Sequence, residues 1–473
     1  MSKIPFRSRL AVTATLFAVA GTGSLMIGCS SVTDSLLQAQ DPDLVVPGTV
    51  QNAAGAQALY IGAIGRLRSA TVATSDLQEP EFLFSGLLAD EWSTSSTFVQ
   101  NDEVDERSIK LDNASVRNQF RELERIRTAS NQAIAALQQF LPDQKSKIAE
   151  LYFARGFAEA QLAQDFCNGI PLSDAAGAEF VLGDPLPISE VFNRAIASYD
   201  SALVLSSGTD ASLVDISRAA RLGKARALLG VNKVAEAGAL VTAALVPTIY
   251  SYDITFSLTG GSNAIWGQGA SSRRYTVGDS LEGNARDLRI ANVIPFFSAQ
   301  DPRVPVKYTV SAKGDTTKSQ DGFTFSRTTS LWGQLTTTPL VNGLDARLIE
   351  AEAKLQVVDY PGMMAILNAL RAAPPKLGDI QPKASDLPAL AVPATKVAAE
   401  NLYFREKALW QFGRGERISD LRRLVRQYNR TQDNVFPSGP FHKNGTYGTN
   451  VAFPVPDTEK TNSNFKGCLD TKA

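Results

Sequence analysis

Phe192-Asn193-Arg194-Ala195-Ile196-Ala197-Ser198-Tyr199-Asp200-Ser201-Ala202-Leu203 is the stretch whose reading decides how most of this chain folds. Phe192, Ala195, Ile196, Tyr199, Ala202 and Leu203 return every three or four positions, which places them on one face of a helix. Large and small residues alternate along that face, as in the second helix of a tetratricopeptide hairpin. Paired antiparallel helices approach closely only where side chains are short. Downstream, Ala219, Gly223, Ala227 and Leu228 supply a further helix, and Ala235 to Ala244 its partner. The full repeat signature is absent, so a generic helical bundle also accounts for the spacing.

Working outward, the same period runs through Leu123, Ile126, Ala133, Ile134 and Leu137, then through Leu151, Ala154, Ala158 and Leu162. It is lost from about 251 to 342. There Gly260-Gly261-Ser262-Asn263, Trp266-Gly267-Gln268-Gly269, Pro302, Pro305 and a Thr-rich run to Thr338 dominate. A loop-rich segment of this length between helical halves is commonly functional. Helices resume at Leu344, Leu348, Ala351 and Leu355, break at Pro374-Pro375 and from Pro382 to Pro393, and resume at Ala398, Leu402, Arg405, Leu409 and Phe412. The expectation is a mostly α fold. One domain, 51–473, holds a tetratricopeptide-like helical-hairpin scaffold over about 110–250 and 343–430. It also holds a loop-rich irregular insertion over about 251–342 and an extended C-terminal tail over 431–473.

The N-terminus reads differently. Lys3, Arg7 and Arg9 precede the apolar run Leu10 to Gly21, which is too short to span a bilayer core of roughly 30 Å. Leu25-Met26-Ile27-Gly28-Cys29 then resembles a bacterial lipobox, although Met26 stands where Leu is usual. Residues 1–28 are read as a lipoprotein signal peptide, and 29–50 as the lipidated Cys29 and a linker broken by Asp41-Pro42-Asp43 and Pro47-Gly48. An ordinary secretory signal with a coincidental cysteine is the alternative. Stable anchoring takes more than one acyl chain. The balance of 47 basic against 48 acidic residues offers no field for nucleic acid. Beyond Cys29 only Cys167 and Cys468 remain, either as one disulfide or as two free thiols. A single histidine, His442, and the lack of paired-cysteine spacing argue against a metal site, and no cofactor is expected.

Several separated motifs resemble the SusD/RagB family. Asp41-Pro42-Asp43 stands where the family carries Asn- or Asp-Pro-Asp. Leu344-Asp345-Ala346-Arg347-Leu348-Ile349-Glu350-Ala351-Glu352-Ala353 is similar to its Arg-Leu-x-Glu-Ala helix. Gly415, Arg417, Asp420, Leu421 and Arg423 follow its Gly-x-Arg-x-x-Asp-Leu-x-Arg order, and Pro454, Pro456, Glu459 and Asn462 its closing pattern. Arg414 in place of Glu and Ser463 in place of Pro are departures. Read physically, these residues serve folding: Asp420 with Arg417 and Arg423 as an ion-paired helix terminus, Arg347, Glu350 and Glu352 as a solvated helix face. The resemblance implies a lipoprotein of the outer membrane, surface-exposed, that lies as a lid over a SusC-type TonB-dependent barrel. It implies capture of an oligosaccharide, or of a peptide in some branches.

Sugars present apolar CH faces and hydroxyl edges, so exposed rings beside amides, carboxylates or Arg are the residues to seek. Trp92, Trp266, Tyr275 (beside Arg273 and Arg274) and Trp332 are the ligand-binding candidates, while Trp410 sits in helical pattern and reads as core. Asp102-Glu103-Val104-Asp105-Glu106 reads as solvated surface and His442 as a surface residue. No Gly-x-Ser-x-Gly elbow, phosphate loop or His-Glu-x-x-His motif is present, so a binding protein is expected rather than an enzyme. A periplasmic tetratricopeptide lipoprotein that scaffolds envelope assembly is the competing reading. It leaves the aromatic, Gly-rich insertion unexplained.

Overall fold

Tyr199 carries the packing logic of the helical half. The computed structural model describes residues 51–72, 79–174, 181–282 and 288–473; the signal peptide, Cys29 and linker expected in 1–50 lie outside them. Among the described residues the helices are α1 (Ala53–Thr71), α2 (Glu81–Leu88), α3 (Val99–Asp105), α4 (Ala114–Phe140), α5 (Lys145–Asp165), α6 (Ile188–Leu205), α7 (Ala211–Gly230) and α8 (Val234–Leu240). After the insertion come α9 (Gly343–Gln356), α10 (Tyr360–Ala372), α11 (Lys396–Trp410) and α12 (Arg417–Arg426). Tyr199, on α6, is clamped between two glycines. A Cβ on Gly156 of α5 would stand 3.0 Å from its ring, and one on Gly223 of α7 would stand closer still. Gly230 admits Phe192 in the same way. Short side chains are therefore what let α5, α6 and α7 stack, as the alternation in the sequence predicts.

The chain then leaves the stack and returns to it. Gly238 of α8 lies against Ala353 of α9, although about a hundred residues separate them in sequence. The insertion makes this possible by closing on itself: β4 (Ser251–Ile254) pairs antiparallel with β10 (Thr338–Asn342), its first and last segments. The short pair β2 (Ile170–Pro171) and β3 (Pro185–Leu186) precedes the insertion; within it lie β5 (Tyr275–Val277), the pair β6 (Leu281–Glu282) and β7 (Leu288–Arg289), the pair β8 (Val306–Tyr308) and β9 (Arg327–Thr329), and a π-helix, Ile265–Ser271. β5 pairs outside the insertion, with β1 (Trp92–Thr94), and so draws the segment after α2 into the irregular half. That pairing has no signal in the local pattern. α3, which follows, is mostly sheltered: Glu103 and Asp105 are buried, which corrects the solvated-surface reading of 102–106.

The Gly-x-Arg-x-x-Asp-Leu-x-Arg segment is a buried clasp. Arg417 forks onto Asp90, with Nε–Oδ1 at 2.6 Å and Nη2–Oδ2 at 2.9 Å. Arg422 donates to the carbonyls of Ala163 and Phe166 at the end of α5, at 3.2 and 2.9 Å. Arg423 pairs with Glu352 of α9 and, at 3.3 Å, with Asp420, which also takes Lys407 of α11 at 2.6 Å. Tyr403 and Tyr428 add hydroxyl donors to Glu352, at 3.0 and 2.6 Å. Glu352 is fully buried and Arg347 nearly so, so the solvated-face reading of this helix is also corrected. Removing one member of such a set would strand a buried charge. The tail completes the body: Cys167 N–H donates to the Phe453 carbonyl at 2.9 Å, and Cys167 and Cys468 form a disulfide with their Cα atoms 5.7 Å apart.

Candidate functional site

The β4–β10 pair, which closes the insertion, forms one wall of an open cleft of about 540 Å³, within the usual range for small-molecule sites. Ser251 and Asp253 stand on this wall from β4 and Pro339 from β10, two residues apart along a strand and so on one face. Asn342, at the end of β10, caps α9: its Oδ1 accepts from the Asp345 N–H at 3.0 Å while Asp345 accepts from the Asn342 N–H at 2.9 Å. The opposite wall is the turn after α10, Pro374, Pro375, Lys376 and Leu377. Gly378, at φ +52°, lets that turn lie directly against Leu331, and Asp379 N–H donates to the Leu331 carbonyl at 2.8 Å. Trp332, Trp410 and Phe412 border the floor.

Charge at the floor is cancelled from within. Arg303 lies 4.8 Å from the Trp410 ring centre and pairs with Asp301 and Glu406, each at 2.8 Å, while Arg371 joins Glu406 at 2.9 Å. Arg414 forks onto Asp345 at 2.7 and 2.8 Å. Burial disfavours charge on Asp345, yet the Arg414 guanidinium holds its carboxyl below the ordinary carboxylate range.

Three of the four aromatic candidates come together, but indoors. Trp92, Tyr275 and Trp332 are 3, 1 and 5 % exposed. They surround a void of about 10 Å³ together with Arg327. Gly413, at φ +72°, fits between the two indoles: a Cβ there would stand 3.3 Å from Trp332 and 3.4 Å from Trp92. Phe412 packs 4.9 Å from both Trp92 and Phe296. The Tyr275 hydroxyl donates to Glu79 at 2.6 Å and accepts from Asn101 at 3.0 Å. These rings serve packing in this conformation, and only Trp332 also reaches the cleft. Trp266, on the π-helix, is half-buried and borders neither space.

His442 is buried rather than at the surface, with Nε2 2.8 Å from the Thr94 carbonyl. Burial pushes its pKa down, so it is neutral near pH 7. Trp410 is core, as its helical setting implies, and yet its ring edge borders the cleft. Sequence reasoning missed Ile249, 95 % exposed on the rim, and Phe98, an exposed ring with Arg274 stacked at 4.2 Å. Neither carries a signal, because a single apolar residue looks the same whether it faces in or out. Among the described residues no cluster of three or more His, Cys, Asp or Glu is placed to hold a metal, and no helix is long and apolar enough to cross a membrane.

No protein-family model matches this sequence, and no curated protein matches it. Solved structures do. A SusD superfamily protein from Bacteroides vulgatus ATCC 8482 superposes with a TM-score of 0.61 at 16% identity, over 89% of this chain and 99% of the other. A SusD-like carbohydrate binding protein from Bacteroides fragilis NCTC 9343 gives 0.62 at 12% identity, over 88% and 100%. A laminarin binding SusD-like protein gives 0.57 at 15% identity, over 88% and 99%. Helical hairpins bearing an irregular, cleft-forming half thus define an α-helical fold of the SusD-like class. The motif resemblance holds at the level of the fold across nearly the whole chain.

Proposed function

We propose that this protein captures a nutrient oligosaccharide in the cleft and delivers it to a SusC-type TonB-dependent barrel of the outer membrane. Acyl chains on Cys29 would hold it at the cell surface. The observation that carries this reading is a SusD-like fold shared, over 88% of the chain, with solved proteins named for carbohydrate or laminarin binding. The cleft's chemistry supports it: apolar surface from Pro374, Pro375 and Ile249 suits sugar CH faces, and Ser251, Asp253 and Thr337 suit hydroxyl edges. Capture and hand-over need no reacting group, so the protein is read as a binding protein and not an enzyme. Of the aromatic candidates, Trp332 alone borders this cleft, and it is the ring proposed to meet the ligand there.

The test is a pull-down of the intact lipoprotein from detergent-solubilised outer membrane, with partners identified by mass spectrometry. A stoichiometric TonB-dependent barrel is expected. Recovery of envelope-assembly proteins with no such barrel would replace capture by the periplasmic scaffold.

A further inference from the structure

We infer that the cleft is built for a neutral oligosaccharide and rejects uronic-acid and sulfated glycans; this rests on the capture reading and names the ligand class of that same cleft. Among the described residues four charged side chains border it: Asp253, Arg303, Lys376 and Arg414. An anionic glycan is ordinarily recognised by guanidiniums with donors to offer, two per carboxylate or sulfate. Both arginines here are already engaged. Arg303 directs Nε to Asp301, Nη1 to Glu406 and Nη2 to both. With Arg371 the set closes as two guanidiniums against two carboxylates. Arg414 gives Nη1 and Nη2 to the two oxygens of Asp345, and only its buried Nε is left, a single donor rather than the fork that an anionic group takes. Asp301 is partly exposed, but both arginines, Glu406 and Asp345 are nearly inaccessible, so an incoming anion would have to displace a carboxylate from a buried guanidinium, a loss larger than a surface contact returns.

Among the described residues, what remains without a charge partner is one carboxylate, Asp253, which accepts from the Ser251 hydroxyl, and one ammonium, Lys376, both exposed, whose charges cancel. The rest of the cleft is uncharged. Pro339, Pro374 and Pro375 make rigid apolar ledges, Ile249 extends them into solvent, and Ser251 and Thr337 present hydroxyls. Uncharged ledges with scattered single hydrogen-bonding groups match a ligand whose polarity is all hydroxyl.

The experiment is calorimetric titration of the intact chain with two sets of probes. Laminari-, malto-, cello- and manno-oligosaccharides form the neutral set; oligogalacturonate and heparin oligosaccharides form the acidic one. Ser251→Trp fills the cleft from an exposed strand position, and Lys376→Glu reverses the charge of its exposed ammonium. Binding of a neutral probe is expected. Its affinity should change less than about two-fold between 50 and 500 mM salt, because no charge pair is there to be screened. It should change as little in Lys376→Glu, and be lost in Ser251→Trp. Binding of an acidic probe that Ser251→Trp abolishes, weakened about ten-fold by salt or by Lys376→Glu, would overturn the inference and leave capture standing. Glycan binding indifferent to Ser251→Trp would place the site elsewhere and overturn it too. If no glycan bound at all, the inference and glycan capture would fall together, whatever the pull-down returned.

Discussion

Glu91 holds a carboxyl inside the protein, with Oε1 accepting the Gly413 N–H at 2.9 Å beside Trp92. Burial raises its pKa to about 8; the Gly413 hydrogen bond opposes the rise, Asp90 adds to it, Arg417 opposes and Asp420 adds. A group that holds its proton more tightly in the folded state stabilises fully below its unfolded value of 4.5. That contribution is lost as pH climbs through about 8. Glu91→Gln keeps an acceptor for Gly413 and cannot titrate. Thermal melts across pH 5 to 9 should show the parent losing stability on this alkaline limb and the variant losing much less; parallel curves would show that the proton on Glu91 does not matter. Glu352 acts with the opposite sign. Burial would raise it, but Arg423 and Lys407 hold it down to about 2, so its contribution is lost as pH falls from 4.5 toward 2. At this scale the sequence is least legible. Trp92, Tyr275 and Trp332 stand out in the sequence as rings among polar neighbours, but chemical type does not say which way a ring on a short strand or loop points. Glu91, Glu352 and His442 are buried because distant segments close over them.

The stack of α5, α6 and α7 rests on the absence of three side chains, at Gly156, Gly223 and Gly230. Gly223→Ala raises helix propensity by about 1 kcal/mol, which alone would stabilise α7. The new methyl meets the Tyr199 ring, and overpacking of this kind costs about 1–3 kcal/mol. Net destabilisation is therefore expected in denaturant unfolding, recovered in part by trimming the ring in Gly223→Ala/Tyr199→Leu. A Gly223→Ala protein more stable than its parent would mean that the helices yield without strain. Elements of this kind were legible. Helix positions follow from the 3.6-residue period, and the hairpin character from small residues opposite large ones. The partner helix expected over 235–244 ends at Leu240, whereas the ion-paired helix terminus expected at Asp420 is the first turn of α12, where Asp420 pairs with Arg423 and Arg417 turns to Asp90 instead. The strands were not legible, because most run two or three residues, too short for alternation to show.

Across the whole molecule, two closures hold the chain ends of the fold in place. β4 and β10 return the insertion to its origin, so that α8 and α9 stack as though consecutive. Cys167–Cys468 ties the tail to the end of α5 over a separation of 301 residues, beside a bond from Asn168 Nδ2 to Asp470 at 2.9 Å. Cys468→Ser should cost about 2–5 kcal/mol, since a long loop is no longer constrained in the unfolded chain. It should also expose the last residues to limited proteolysis. Unchanged unfolding with an intact tail would show that the hydrogen bonds and Phe453 packing suffice. By itself the sequence determined that the chain is mostly helical, that its helices pair through small residues, that the irregular region lies between two helical halves, and that its motifs follow the SusD order. Those are local properties, set by side-chain period and size along a few turns. Only the tertiary structure decided that β1 joins the insertion, that the motif arginines are buried and neutralised, and that the cleft forms between the insertion's base and the Pro374-Pro375 turn. Each of these depends on which distant surfaces meet, and burial is a property of that meeting rather than of any one segment.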